Sequence, residues 1–385
     1  MAVGTAETTI LDWLAAQRPA MLALLEELVN IDSGSYDKAG VDRVGAQIRT
    51  FLDRHGIAHD TIANATFGDG IRATVGAGAN TSILLMGHRD TVFPRQEAAR
   101  RPFRIDDGRA YGPGVADMKA GLVMNAFVLA AFARFGAPAP LVGLFTADEE
   151  IGSPSSRALI ESEARRARAV FNSEPGRPGG NVVTGRKGGV FMRFEVTGRA
   201  AHSGANFSDG ISAIEELARK TIALHALTDL ARGTTVNVGL ISGGQTVNTV
   251  APWAKGEIDL RYVAPADRES AMGQIREIIA TSFVPGASAS LEITGEFLPL
   301  VETIDARRLF ELYAACAGEL GLKVAGEFTG GCADSGFAAH AGAPTLCATG
   351  PIGARAHTPD EYLEVDSMVP RAQTLALAVM RVGGG

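Results

Sequence analysis

The chain has 385 residues, of which 46% are hydrophobic, and a formal net charge of -7. Since a single hydrophobic core stops growing at about 250–300 residues, this length predicts two domains. The acidic balance argues against a nucleic acid or an anionic membrane as partner, because both bind basic surfaces, and it favours a small molecule.

Two further features predict a cytoplasmic protein. The first residues lack a basic region followed by an apolar run, and no stretch reaches the ~18 uninterrupted apolar residues of a membrane span. The chain has three cysteines, an odd number, at Cys316, Cys332 and Cys347, and their spacing is not that of a metal site. We therefore expect reduced thiols in a core rather than a disulfide framework.

In chain order, two amphipathic helical patterns come first, over residues 10–31 and 40–55. Gly56 ends the second pattern in the position that a helix C-cap favours. Strand-like and helical patterns then alternate, at residues 82–87, 119–135, 141–146, 155–166 and 169–171. Such alternation predicts a mixed, largely parallel sheet flanked by helices.

A different order begins near Lys187, with strands and helices predicted at 190–197, 210–227, 235–241, 256–262, 265–281 and 289–294. This β-α-β-β-α-β succession is typical of ferredoxin-like domains. The earlier alternation resumes at 306–320, 324–328, 335–341, 345–348 and 367–382. We predict an α/β catalytic domain over 1–186 and 298–385, interrupted by a ferredoxin-like α+β domain over 187–297.

Several candidate metal ligands lie where strand-like runs give way to turns: His88, Asp117, Glu149, Glu150, Glu174 and His357. Asp90 lies two residues after His88, so an extended backbone puts both side chains on one face. Its carboxylate can then accept the second N–H of the imidazole and leave the other nitrogen free for a metal. Taken singly, each residue also has a structural interpretation, such as a helix N-cap for Asp117. Their order along an α/β chain favours a common site.

A charge count favours two metal ions over one. Asp117, Glu150 and Glu174 supply three negative charges, and histidines bind as neutral ligands. Two zinc ions and a bridging hydroxide would bring the total to zero, whereas one zinc would leave an anionic site that favours protonation of a carboxyl. Histidine and carboxylate ligands without thiolates suit a hydrolytic site with an open position.

The strings GHRDTV, GPGVADMKAG, ADEE, NSE, TGRAAHSG and RAHTPDEY together resemble the glutamate carboxypeptidase/aminoacylase family of dizinc metallopeptidases, in particular its carboxypeptidase G-type members. The resemblance covers nearly the whole chain. It implies that Asp117 bridges two zinc ions, which Co²⁺ or Mn²⁺ could replace. His88 and Glu174 would complete one site, and Glu150 and His357 the other.

In this family Glu149 would be the general base, and the bond between Asp117 and Met118 would be a cis peptide. The chemistry implied is amide hydrolysis without a covalent intermediate: the metals activate a water, and Glu149 takes its proton and passes it to the leaving amine.

The resemblance also assigns roles to the inserted domain, which it implies forms a homodimer. His202 would reach across the dimer interface to stabilise the oxyanion, and Asn248 and Arg261 would hold the substrate carboxylate. Gly330 and Gly331, in TGGCADSGFAA, resemble a substrate loop whose glycines allow close backbone approach. Alternatives are an ordinary turn for His202 and for the glycines, and a surface ion pair for Arg261.

The expected activity is release of a C-terminal amino acid, as in glutamate carboxypeptidases, with N-acyl-amino-acid deacylation as the alternative. Glu174 favours both over aminopeptidases, since aminopeptidase relatives tend to carry Asp there. Phe297 and Leu298 stand where carboxypeptidase-like relatives often have Arg-Pro, which puts a preference for glutamate in doubt.

Other classes fit less well. A dinucleotide-binding motif at Gly76 and Gly78 lacks its third glycine and its helix, and neither Ser203 nor Ser335 has the G-x-S-x-G of serine hydrolases. A catalytically silent metal- or peptide-binding relative is the non-enzyme alternative, although such a protein would be expected to have lost Glu149 or a ligand.

Overall fold

The structure is a computed structural model that describes residues 4–76 and 81–384, so Gly78 lies outside the described residues. The chain forms two compact units. The first runs to Gly185 and continues through Leu300–Thr329 and from Ala333 onwards, and the second comprises Arg186–Pro299 and Gly330–Cys332. The second unit therefore includes a short segment that the sequence had assigned to the catalytic domain.

The first unit contains a large sheet surrounded by helices. Up to the insertion its elements are α1 Thr5–Ala16, α2 Arg18–Val29, α3 Lys38–Arg54, β1 Ala58–Ile62, β2 Gly70–Val75, β3 Ser82–His88, α4 Glu97–Arg100, β4 Arg104–Asp106, β5 Arg109–Tyr111, α5 Ala120–Phe135, β6 Leu141–Thr146, α6 Arg157–Ala164, β7 Ala167–Asn172 and β8 Val182–Arg186. After the insertion they are α9 Ile304–Glu319, β13 Gly326–Thr329, α10 Ser335–His340, β14 Thr345–Cys347, β15 Gly353–Ala354, β16 Tyr362–Glu364 and α11 Met368–Gly383.

The strand order of the large sheet is β1-β2-β6-β3-β7-β14-β8-β13. Its middle strands β6, β3, β7 and β14 run parallel, and β1, β2 and β8 pair antiparallel at their sides. All residues of β3 and β6 are buried, as expected for strands that helices cover on both faces. The predicted fold class, a mixed and mostly parallel sheet flanked by helices, is confirmed.

Some predicted elements differ from the observed ones. The single helix predicted over 10–31 is two helices that meet at Gln17. Pro19 lies in the first turn of α2, where its missing N–H and its ring prevent continuation of α1. The antiparallel strands β1 and β2 were not predicted, because β1 is short and largely exposed and has no apolar alternation. A second small sheet, β15-β16-β5-β4, was not predicted either.

Within residues 4–76 and 81–384, one helical stretch, Val115–Lys119 together with α5, is long and apolar enough to cross a membrane by length and composition. It spans Val115–Phe135, has a mean hydropathy of 1.5 in its most apolar window, and 94% of that window is buried inside the protein. An all-round apolar surface is expected of a helix in the centre of a large core.

The second unit is an antiparallel sheet with two helices. Its elements are β9 Gly188–Thr197, α7 Ala213–His225, β10 Thr235–Gly243, β11 Trp253–Tyr262, α8 Pro265–Ala280 and β12 Ser288–Phe297. The succession is the β-α-β-β-α-β that the sequence predicts, and the strand order is β10-β11-β9-β12.

A buried ion pair stabilises the helices of this unit. Glu216 and Lys220 are 0% and 1% exposed and lie 2.8 Å apart. Glu216 accepts the N–H groups of Phe283 and Val284, and Lys220 donates to backbone carbonyls at the end of α8, including that of Ile279. Both charges are therefore satisfied, which is the condition under which a charge can be buried.

Truncation of one partner should destabilise the inserted unit. We expect Glu216→Ala to lower the free energy of unfolding by about 3–5 kcal/mol, because it leaves Lys220 buried without its counter-charge. Urea unfolding of the full chain, followed by hydrogen exchange in the second unit, measures this. The double variant Glu216→Leu/Lys220→Met should recover most of the loss, and a single variant as stable as the parent would contradict the assignment.

Candidate active site

Three of the predicted ligands and the predicted base lie at the carboxyl edge of the large sheet. His88 is the last residue of β3, Glu149 and Glu150 follow β6, and Glu174 follows β7. Strand β3 pairs in parallel with β6, with His88 opposite Thr146, and in parallel with β7 on its other side. The ends of parallel strands meet at one edge of a sheet, so the three loops converge there.

Asp117 lies between the two predicted histidine ligands. Its Oδ1 is 3.2 Å from Nε2 of His88, and its Oδ2 is 3.4 Å from Nε2 of His357. Asp117 lies in the segment Val115–Lys119 ahead of α5, where the backbone of Asp117 and Met118 departs from helical geometry. The Asp117–Met118 peptide bond is cis, as the family resemblance implied. One carboxylate thus offers an oxygen to each histidine.

The other carboxylates divide between the two histidines. Oε2 of Glu150 is 3.1 Å from Nε2 of His357, whereas Oε1 of Glu174 is 3.8 Å and Oε2 of Glu149 is 3.9 Å from Nε2 of His88. Each of the five predicted ligands therefore lies within 3.8 Å of another, in two groups that share Asp117.

The residues present fit a metal ion. One ligand atom each from His88, Asp117 and Glu150 lie within 4.8 Å of one another. Oε1 of Glu150 is buried and, within residues 4–76 and 81–384, has no hydrogen-bond partner. Burial, and then the neighbouring charge of Asp117, raises the pKa of Glu150. An unpartnered buried carboxylate oxygen is costly unless a proton or a cation compensates it.

The same acidic surroundings act on the histidines. Burial alone would lower the pKa of His88, but hydrogen bonds with Asp117 and Asp90 outweigh it and hold the pKa well above the usual value. Hydrogen bonds with Asp117 and Glu150 raise the pKa of His357 to about 10. The cluster therefore attracts positive charge, and a metal ion that binds here has to displace protons from the imidazoles.

Asp90 holds the predicted ligands and base in place. Its carboxylate accepts the N–H groups of Glu149 and Glu150, both at 3.1 Å, and the hydroxyl of Ser35 at 2.7 Å. Nδ1 of His88 lies 3.0 Å from the carbonyl oxygen of Asp90 and 3.4 Å from its carboxylate. These contacts turn Nε2 of His88 towards Asp117, so Asp90 positions other residues and is not one of the clustered ligands.

Glu361 is a site residue that the sequence reasoning missed. Its buried carboxylate accepts the N–H groups of Gly114, Ala116 and Asp117, at 3.1, 2.8 and 2.9 Å. It therefore fixes the turn that presents Asp117, and burial, together with the charge of Asp117, raises its pKa to about 7. The available signal was its position in RAHTPDEY, four residues after His357.

The second unit holds the remaining predicted site residues in two places. The Nδ1 atom of His202 accepts the N–H groups of Gly204 and Ala205, both at 3.1 Å. A backbone contact pairs His202 with Thr249, and the carbonyl of Asn248 accepts the N–H of Ser203. His202 and Asn248 are therefore on adjacent loops. Because Nδ1 accepts, the neutral ring carries its proton on Nε2.

Arg261 lies with the glycine-rich segment. Its Nε donates to Asp259 and its Nη1 to Sγ of Cys332, both at 2.7 Å. Arg186 donates to the carbonyls of Gly331 and Cys332. These two arginines explain why Gly330–Cys332 packs with the second unit.

Comparison with known proteins identifies the family. The model of peptidase family M20/M25/M40 matches residues 84–381. Carboxypeptidase G2 of a Pseudomonas species is 29% identical over 379 residues, which are 96% of this chain and 91% of that protein. Acetylornithine deacetylase of Myxococcus xanthus is 31% identical over 69% of this chain and 73% of its own.

Solved structures share the fold. A metallo-carboxypeptidase of the M20 family from Sulfolobus solfataricus has a TM-score of 0.78 at 18% identity, covering 94% of this chain and 99% of its own. A tripeptidase from Staphylococcus aureus has a TM-score of 0.77 at 20% identity, covering 96% and 99%. At such identities the likeness concerns the fold alone.

The role of Glu361 can be tested through metal binding. We expect Glu361→Gln to lower the affinity for zinc by about 10–100-fold, because the amide cannot accept all three N–H groups and the Asp117 turn loosens. Competition with a fluorescent zinc chelator measures this. Glu364→Gln, at a partly exposed position of β16, serves as the control, and equal affinities in the two variants would contradict the role.

Proposed function

The chain belongs to peptidase family M20/M25/M40, and on that basis we propose that it hydrolyses an amide bond to release a C-terminal amino acid, as a glutamate carboxypeptidase-like exopeptidase. The observation that carries the proposal is the position of Asp117 between His88 and His357. Around it lie the carboxylates of Glu149, Glu150 and Glu174, which can divide between metal binding and proton transfer.

We propose two zinc ions per subunit, with Co²⁺ or Mn²⁺ as substitutes. His88 and Glu174 would hold one, Glu150 and His357 the other, and Asp117 both. Such ions supply activation of a water molecule and polarisation of the scissile carbonyl. The absence of thiolates among these residues fits a hydrolytic site rather than a structural one.

Glu149 is the proposed general base. It is 7% exposed, and burial, reinforced by the nearby carboxylates of Glu174, Asp334 and Glu150, holds its pKa well above the usual value. A carboxylate with a raised pKa accepts a proton from the attacking water more readily and can pass it to the leaving amine. Its backbone N–H is fixed by Asp90, which orients the residue for that transfer.

Arg261, Asn248, Gly330 and Gly331 are the proposed contacts for the substrate carboxylate. Nε of Arg261 donates to Asp259 and Nη1 donates to Cys332, so we assign Nη2 to the substrate carboxylate. Phe297 is buried, and its ring packs against Phe191 at 6.2 Å between ring centres. An apolar residue where relatives often carry arginine argues against a strict requirement for glutamate.

The runner-up is deacylation of an N-acyl amino acid, which the similarity to acetylornithine deacetylases favours. Both activities need the same metals, base and carboxylate contacts, and they differ in the group on the acyl side. We also propose that the enzyme acts in the cytoplasm, on a small peptide or an N-acyl amino acid, with no nucleic acid or membrane as partner.

Homodimerisation through the inserted unit is proposed from its surface. Leu240 and Ile241 on the edge strand β10 are 65% and 64% exposed, and Ile222 on α7 is 73% exposed. An apolar edge strand is a common site of association between chains. Across such an interface, the Nε2–H of His202 would stabilise the oxyanion in the partner's site.

A panel of substrates decides between the two activities. Amine release by zinc-loaded protein is measured with N-acetyl amino acids and with N-terminally blocked dipeptides. We expect turnover of the blocked dipeptides. Turnover of the acetylated set alone would make the enzyme a deacylase, and silence on both panels with metal bound would favour a binding role.

Glu149→Gln should keep its metal and lose activity. We expect kcat to fall by about 10²–10⁴-fold, because the amide cannot accept the proton, while bound zinc measured by plasma emission spectroscopy is unchanged. Glu364→Gln is the matched control. Retention of most activity in Glu149→Gln would remove this residue from the role of base.

Mixing of two inactive variants tests the action of His202 across the dimer. After reassociation, a mixture of the His202→Ala protein and the Glu149→Gln protein should recover about a quarter of the parent activity. Half the dimers are then mixed, and each mixed dimer has one complete site. Each variant reassociated alone is the control. If no activity returns although mixed dimers form, His202 does not act in the partner's site.

A further inference from the structure

A cavity of about 450 Å³ lies beside the proposed metal centre, entirely within the first unit. Glu150 and Ile151 form one side of it, and residues after β3 and ahead of α3 form the rest, among them Tyr36, Val92, Phe93 and Pro94. Its size is within the range of about 300–1,000 Å³ that is typical of small-molecule sites. The cavity therefore offers room for a substantial part of a substrate.

Two polar side chains of its wall, those of Ser35 and Asp37, are already engaged. The hydroxyl of Ser35 donates to Asp90 at 2.7 Å, and the carboxylate of Asp37 accepts Nη2 of Arg95 at 2.8 Å. Asp37 also accepts the N–H of Gly40, as the N-cap of α3. The surface left for a ligand consists mainly of the apolar side chains and the ring of Tyr36, which is 80% exposed.

The charge of the wall decides which part of the substrate fits. Under the proposed function the leaving amino acid carries a carboxylate, which requires a cationic partner. The arginine of this wall, Arg95, is paired with Asp37, and Glu150 is a further acidic group at the cavity. Since Arg95 is already engaged by Asp37, the lining residues offer no unpaired cation to a carboxylate. The leaving amino acid therefore does not belong here, whereas an uncharged acyl group does.

The position next to Glu150 supports the same assignment. Glu150 lies 3.1 Å from His357, at one end of the cluster that shares Asp117. A substrate with its scissile amide at the cluster can therefore extend its acyl side past Glu150 into the cavity. A two-carbon acetyl group would leave most of that volume unfilled and would bury little apolar surface.

We propose that this cavity is the acyl-binding pocket and that it selects an uncharged, apolar acyl group larger than acetyl, with a ring or a branched chain. The inference rests on the proposed amide hydrolysis and names the substrate class for that reaction. Val92, Phe93 and Ile151 are then specificity-determining residues.

The test compares acyl groups on one leaving amino acid, the best one from the panel above. We expect kcat/KM for the benzoyl and isovaleryl derivatives to exceed that for the acetyl derivative by about 10-fold or more, with the succinyl derivative lowest. Val92 is 43% exposed, so Val92→Trp can fill the cavity without repacking the core. This variant should lower the benzoyl-to-acetyl ratio of kcat/KM by about 10-fold.

Two further measurements keep the outcomes distinct. Ile62→Trp, on the edge strand β1 and outside the cavity, controls for the added ring and should leave the ratio unchanged. Calorimetric binding of the N-benzoyl amino acid to the Glu149→Gln protein, with and without Val92→Trp, reports the pocket without turnover. We expect Val92→Trp to weaken this binding about 10-fold.

An acetyl preference in the parent protein, or a ratio that Val92→Trp does not change, would overturn the pocket while leaving amide hydrolysis in place. Turnover of no derivative would overturn the proposed function instead. In that case the binding experiment still decides the pocket, because unweakened binding in Val92→Trp contradicts it.

Discussion

The arrangement of this site depends on the buried carboxylate of Asp90, which binds the backbones of Glu149 and Glu150 and the ring nitrogen of His88. Its position follows from the alternation of side chains at the end of β3. His88 and Asp90 point to one side, whereas Arg89 between them points to the other and donates to the carbonyl of Thr146. One short segment thus joins the ends of two parallel strands and orients the base and a ligand of each group.

The acidic residues around this centre make its electrostatics unusual. Burial raises the pKa of Asp334 and of Glu361 to about 7 each, although Ser153 donates a hydrogen bond to Asp334 and three backbone N–H groups bind Glu361. Carboxyl groups this close in a low-dielectric environment cannot all be charged unless cations compensate them. The fold nevertheless keeps these buried carboxyl groups together, as is expected where residues are selected for function rather than for stability.

The elements that could be predicted from the sequence are the long apolar ones. Strand β6 has the predicted bounds, 141–146, because every residue in it is apolar or small and is buried on both faces. The exposed strand β1 has no such signal. The break at Gln17 could be predicted only if Pro19 were given more weight than the apolar periodicity around it. The predicted ligands could be chosen because each follows an apolar run or lies in a glycine-rich turn.

By itself the sequence determined the fold class, the succession of elements in the second unit, the buried strands β3, β6 and β7 of the first unit and the identity of the clustered side chains, because periodicity and strand ends are local properties. Tertiary structure alone decided that Glu361, far along the chain from Asp117, supports its turn, and that Gly330–Cys332 packs with the second unit. It also decided that Val92 and Tyr36 face a common cavity beside Glu150. Such contacts join residues that no local pattern connects, so they exist only once the chain has folded.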